Sequence, residues 1–136
     1  MKYAQLKWVV SNGILVSFAT EGPPQAKVWD DLIRDLSTKS VRKYLVTTVG
    51  KGELNSLQRK QIAGVFSSKK IGVVVVTDDS IARHIATAIS WLGVDIKAFP
   101  WKELRHAIQH VGAVGIHEER MIQIIGELKR ACSLQG

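Results

Sequence analysis

The sequence has 136 residues, the length of one ordinary domain, and 46% apolar with 23% charged residues is a globular composition that excludes wholesale disorder. The single cysteine, Cys132, excludes an intramolecular disulfide, and no apolar run is long enough for a signal-peptide core or a membrane span, so a cytoplasmic setting is expected. Lys and Arg total 19 against 12 Asp and Glu, a formal charge of +7, and that excess raises the question of nucleic-acid affinity.

Two apolar-rich stretches open the chain, Leu6 to Val10 and Ile14 to Ala19, with Ser11-Asn12-Gly13 between them. Asn-Gly favours a tight hairpin because both residues tolerate positive φ, so an antiparallel hairpin is expected. Val28, Trp29, Leu32, Ile33 and Leu36 then fall on one helical stripe. Tyr44 to Val49 is β-branched and aromatic and stops at Gly50 and Gly52, which predicts a strand. Leu54 to Phe66 is expected to be helical, with less regular apolar spacing. Ile71 to Val76 is a nearly unbroken aliphatic run, suited to an interior strand covered on both faces.

Thr77-Asp78-Asp79-Ser80 supplies capping acceptors for a helix whose apolar stripe is Ile81, Ile85, Ala88, Ile89 and Leu92, ended by Gly93. Asp95 to Phe99 is a short strand. Trp101, Leu104, Ala107, Ile108 and Val111 line another helix, and a last one is expected over about residues 116 to 132, after Gly112 to Gly115. Glu118 and Glu119 near its start and Lys129 and Arg130 near its end suit the helix dipole. The pattern predicts one α/β domain over residues 1–136: a mixed sheet opened by an N-terminal antiparallel hairpin, then a parallel portion, plus an extra C-terminal helix. Sites on such sheets lie past the carboxyl ends of the strands, here Thr47 to Gly52, Thr77 to Ser80, and Phe99 to Trp101.

The segment Gly72 to Arg83, continuing through Ala88-Ile89-Ser90-Trp91-Leu92 to Ile96-Lys97-Ala98-Phe99, together with Gln58-Arg59 and the element order, resembles the STAS and SpoIIAA-like superfamily. That is the fold of bacterial anti-sigma-factor antagonists, and the resemblance covers roughly residues 4 to 111. It implies a signalling module that works by protein–protein interaction. In antagonist members the loop after the third strand carries a phosphorylatable Ser, usually within Asp-Ser-Ser-Gly. Here the corresponding stretch is Val49 to Leu57, in which Ser56 is the nearest candidate acceptor. Leu57 stands where the family has Gly, and no Asp precedes Ser56.

The residues themselves point away from catalysis. Gly50-Lys51-Gly52 lacks the Lys-Ser/Thr of a P-loop, and no stretch matches a dinucleotide fingerprint. His106 and His110 share a helix face at metal-binding spacing, but Ala107 stands where a metalloprotease has Glu, and the solvent border is the expected place for both. Cys132 has no His within helical reach. Asp78 and Asp79 offer paired carboxylates, which a general base or Mg²⁺ site uses, and which a turn and N-cap use equally well. No enzyme activity, metal or cofactor is therefore expected.

Trp29 and Trp101 fall on apolar stripes, whereas Trp91 is displaced toward the face of His84 and Thr87. With Arg83 nearby it suits an interaction hot spot, or else it packs under the hairpin or the last helix. The basic pairs Arg42-Lys43, Arg59-Lys60, Lys69-Lys70 and Lys129-Arg130 are dispersed, without a zinc-finger or RNP signature. The expected function is a cytoplasmic regulatory module that docks a protein partner through Lys51, Asn55, Ser56, Thr77, Asp78, Asp79, Ser80, Arg83 and Trp91. A small-molecule or lipid-binding domain using the same crevice is the alternative, and a basic nucleic-acid binder the third. Met121, Ile124, Ile125 and Leu128 form a stripe on the last helix, with Ile116 and Ile122 outside it. So wide an apolar arc suggests a homodimer contact, or a helix that closes its own sheet.

Overall fold

Asn12 and Gly13, at φ of 52° and 77°, make the turn that joins β1 (Leu6–Ser11) to β2 (Ile14–Ala19). The two strands pair antiparallel from Ser11↔Ile14 out to Leu6↔Ala19, as the Asn-Gly signal requires. The computed structural model describes residues 2–113 and 115–135. After the hairpin come α1 (Ala26–Thr38), β3 (Lys43–Thr48), α2 (Ser56–Lys69), β4 (Gly72–Val76), α3 (Ser80–Ser90) and β5 (Ile96–Phe99). A 3₁₀ turn at Trp101–Glu103 leads into α4 (Leu104–His110), and α5 (Ile116–Gln135) follows.

The strands lie in sequence order, β1-β2-β3-β4-β5, antiparallel in the first pair and parallel thereafter. Each of the three crossovers therefore advances in the same direction. Crossovers of one hand must then put α1, α2 and α3 on one face of the sheet. The two cores agree with that. Trp29, Leu32 and Leu36 of α1 and Ile62 and Phe66 of α2 pack with Leu15, Tyr44 and Val73 on the crossover face. Ala107 and Ile108 of α4 and Met121, Ile124 and Ile125 of α5 pack with Val16, Leu45 and Val74 on the opposite face. Alternate residues of each strand thus feed alternate cores, the period-two rule of a sheet covered on both sides.

Several boundaries shift from the sequence reading, among them these three. α2 starts at Ser56 rather than Leu54, because Asn55 and Gln58 form a reciprocal capping box that fixes the first turn. Trp101 belongs to a 3₁₀ turn, not to the helix proper, since Pro100 at the N-cap gives a short entry before α4. α5 continues a turn past residue 132, to Gln135.

The last helix also resolves the choice its sequence left open. Met121, Ile124 and Ile125 are buried, Ile122 and Leu128 pack partly against them, and α5 lies over β1 and β2. The stripe that suggested a homodimer contact is used on the chain's own sheet, and Ile116, 81% exposed, is the part left outside. No helix among the described residues is long and apolar enough to cross a membrane.

α3 departs most from its pattern. Of its residues only Ala86 is buried, while Ile81 and Ala88, and Leu92 just past its end, are exposed. The helix packs on β5, the sheet's edge strand, and among the described residues no further strand lies beyond it. On its inner flank Ala82, Ile85, Ala86 and Ile89 face a crevice rather than a neighbouring helix.

Candidate functional site

The carboxyl ends of β3 and β4 and the Pro100–Trp101 turn enclose a hollow of about 370 Å³ lined by Thr48, Val49, Gly50, Lys51, Asp78, Asp79 and Trp101. Its walls are fixed by hydrogen bonds that the sequence supplies locally. Asp78 Oδ1 accepts from the Trp101 backbone N–H at 3.0 Å, and the Trp101 indole Nε1–H donates to the Thr48 carbonyl at 2.7 Å. Asp79 donates its backbone N–H to the buried Thr77 hydroxyl at 3.1 Å, and its Oδ1 accepts from Ile81 N–H at 3.1 Å, capping α3. Arg83 Nη1 reaches back to the Thr77 carbonyl at 3.4 Å. One oxygen of each carboxylate therefore holds a turn or a helix start, while Asp79 Oδ2 is buried without a hydrogen-bond partner among the described residues.

The loop after β3 is pinned from the other side. Lys51 donates its backbone N–H to Glu21 Oε1 and accepts from Gly22 N–H through its carbonyl, so the loop leans on the turn at Glu21-Gly22. Gly50 has φ of 75°, and a Cβ there would stand 2.8 Å from Glu21 Cβ. Glycine is needed at that position for the turn and the close approach, without any phosphate. Asn55 and Ser56 follow at the start of α2. Ser56 is exposed, and its hydroxyl accepts from Arg59 Nη2 at 3.2 Å.

Of the nine residues expected to form one docking face, Lys51, Thr77, Asp78, Asp79, Ser80 and Arg83 gather around this hollow and the α3 start, and Asn55 and Ser56 stand at the α2 start on the same end of the sheet. Trp91 does not join them. It follows α3 as the C-cap residue, about 16 Å away along an 11-residue helix that runs back toward the amino ends of the strands. It is 82% exposed, so it neither packs under the hairpin nor under α5. The expectation that it shares a face with the Thr77–Ser80 turn fails because the helix runs antiparallel to its strand.

Two apolar side chains that sequence reasoning passed over belong to this end of the sheet. Leu57 in the first turn of α2 is 76% exposed, and Ile81 in the first turn of α3 is 51% exposed. Both helices lie on the crossover face. Between them a crevice of about 190 Å³ runs over the sheet, floored by Ser17, Tyr44, Val46, Val75 and Ile96 and reaching the loops at Thr20, Gly52 and Leu54. The signal for its polar floor was a lone Ser17 inside the apolar strand Ile-Leu-Val-Ser-Phe-Ala.

The remaining candidates resolve into structural roles. His106 Nδ1 lies 3.5 Å from Glu103, His110 packs its ring against Phe99 at 5.7 Å, and no group of three or more metal-ligating side chains occurs among the described residues. Cys132 is buried, and burial pushes its thiol up, only partly offset by Lys7. Of the basic pairs, Lys69 Nζ donates to the Leu36 and Lys39 carbonyls at 2.7 and 2.8 Å, closing the end of α1, and Arg42 Nη2 donates to the Asn12 carbonyl at 3.3 Å. These cations are occupied at the amino end of the sheet, just before β3 and β4.

No family model matches the chain, and no curated protein matches it.

Proposed function

We propose that the chain is a non-catalytic regulatory module of STAS or SpoIIAA-like architecture that docks a protein partner on the crossover face, at the carboxyl ends of its strands. The observation that carries this reading is the exposure of Leu57 and Ile81 on the first turns of two helices that both start at that end. Large apolar side chains held on rigid helix starts, beside a polar hollow, are what a partner's apolar anchor meets in an interface core with a polar rim. The carboxylates and hydroxyls around them already serve as caps and turn acceptors, a use that needs no reaction.

Ser56 fits the role of phospho-acceptor in this scheme. A phosphate on the first residue of α2 would sit at the positive end of the helix with the Arg59 guanidinium alongside. It would place about two negative charges next to Leu57 and so change what the rim accepts.

Site-specific photo-crosslinking tests the docking face. A crosslinker at Leu57 and another at Ile81 are expected to capture the same protein, while one at Arg120 on α5 captures none. Capture from Trp91 with nothing from Leu57 or Ile81 would move the interface to the other end of α3 and overturn the proposal.

A further inference from the structure

The floor of the crevice between α2 and α3 holds a hydrogen-bond donor with no acceptor of its own. Ser17 and Tyr44 are 1% and 3% exposed, and their hydroxyl oxygens lie 2.9 Å apart. Two hydroxyls carry two O–H groups, and one bond between them uses only one. Among the described residues neither oxygen has another protein partner, so one O–H is left over for whatever fills the crevice that both residues line. Burial pushes the Tyr44 phenol up to about 12, which keeps it protonated and able to donate at any ordinary pH. Leaving a buried donor unpaired is costly, so water or a ligand must take it.

Size and charge narrow the ligand. The crevice measures about 190 Å³. An apolar cavity of about 150 Å³ admits benzene, so this one takes a single ring with a short substituent. Its apolar lining includes Val46, Val75, Ile85, Ile89 and Ile96, which reward apolar surface. An ion gains little here. Arg59 and Glu53 both reach the crevice with opposite charge, and Arg59 is already engaged with the Leu54 carbonyl and the Ser56 hydroxyl. A carboxylate brought to the floor would also lose its water.

We infer that this crevice is a binding site for a small uncharged carbonyl compound, an aromatic ketone or ester of about one ring, whose oxygen accepts the free O–H of the Ser17–Tyr44 pair. The crevice is lined by neither Leu57 nor Ile81, and it opens on the same crossover face as the proposed docking surface.

Methyl NMR on the full chain, titrated with acetophenone and with ethylbenzene, tests it. Both probes are expected to give saturable shifts in Val46, Val75, Ile85 and Ile89. Removing one hydroxyl alone leaves the other free to donate, so the informative variant is the double change Ser17→Ala with Tyr44→Phe. It should weaken acetophenone about fivefold and leave ethylbenzene unchanged, the effect of one net hydrogen bond. Val75→Phe, which fills the crevice, should abolish both sets of shifts. The carbonyl stretch of ¹³C-labelled acetophenone bound to the unaltered protein gives a readout that needs no variant, and it should fall below its position in alkane. Absence of saturable shifts in those four residues, or a bound carbonyl band at the alkane position, would overturn the inference.

Discussion

Ile124 on α5 is 2% exposed and sits in the core formed with Val16, Leu45 and Val74. Ile124→Ala removes its branched side chain beyond Cβ from a site closed by sheet and helix, where collapse around the gap is restricted. Substitutions of this kind cost about 2–5 kcal/mol, and a central value of about 3 kcal/mol is expected here. For 136 residues the unfolding entropy is roughly 0.29 kcal/mol/K, so the thermal midpoint should fall by about 10 °C. Urea melts followed by circular dichroism, at two protein concentrations a hundredfold apart, provide the assay. Ile124 serves the chain's own sheet, so the loss should be the same at both concentrations. A loss below about 1 kcal/mol, or a midpoint that rises with concentration, would refute the placement of α5 and return its stripe to an interface between copies.

Trp91→Ala should leave the unfolding free energy within about 0.5 kcal/mol of the unaltered chain, because the indole is 82% exposed; a loss near 3 kcal/mol in the same melts would show it to be packed. Asn55→Ala breaks the capping box of α2 and should cost about 1 kcal/mol, with an unchanged denaturant slope. The phenol of Tyr44 is raised from 10.0 to about 12 chiefly by burial, the bond to Ser17 opposing it, so the unfolded state releases its proton first. Stability from this group is full below pH 10 and is lost as the pH rises through about 12, and Tyr44→Phe should flatten that alkaline decline in pH-resolved melts. Ser56→Asp, which puts a carboxylate at the start of α2 beside Arg59, should raise stability by about 0.5 kcal/mol at low salt, and high salt should erase the gain.

The elements and their order were legible because each rests on local chemistry. Asn12-Gly13 dictates its turn, the stripe of α1 its helix, and Ile71 to Val76 its interior strand. The polar half of the candidate site was legible for the same reason, since Asp79 caps the helix that immediately follows it. What required the third dimension was direction. Trp91 and the Thr77–Ser80 turn are close in sequence, but an intervening helix antiparallel to the strand carries them to opposite ends of the sheet. The exposure of Leu57 and Ile81 and the crevice between α2 and α3 depend on which helices fail to touch, and spacing within one helix does not reveal a gap between two. Similarly, the wide apolar arc of α5 was visible, but its destination on β1 and β2 rests on contacts between residues far apart in the chain.

Strand order that follows chain order has a consequence for how the protein is made. Every strand pairs with the one synthesised just before it, so the sheet can extend step by step as the chain leaves the ribosome, with little loop-closure entropy at each addition. α5 is the exception, because it follows all the strands and returns to cover the first two. Until it emerges, one side of the opening hairpin stays wet and adhesive, with Ile14 and Val16 lacking their final cover. That interval is when the nascent chain is most exposed to aggregation and most in need of a chaperone, and the docking of α5 ends it.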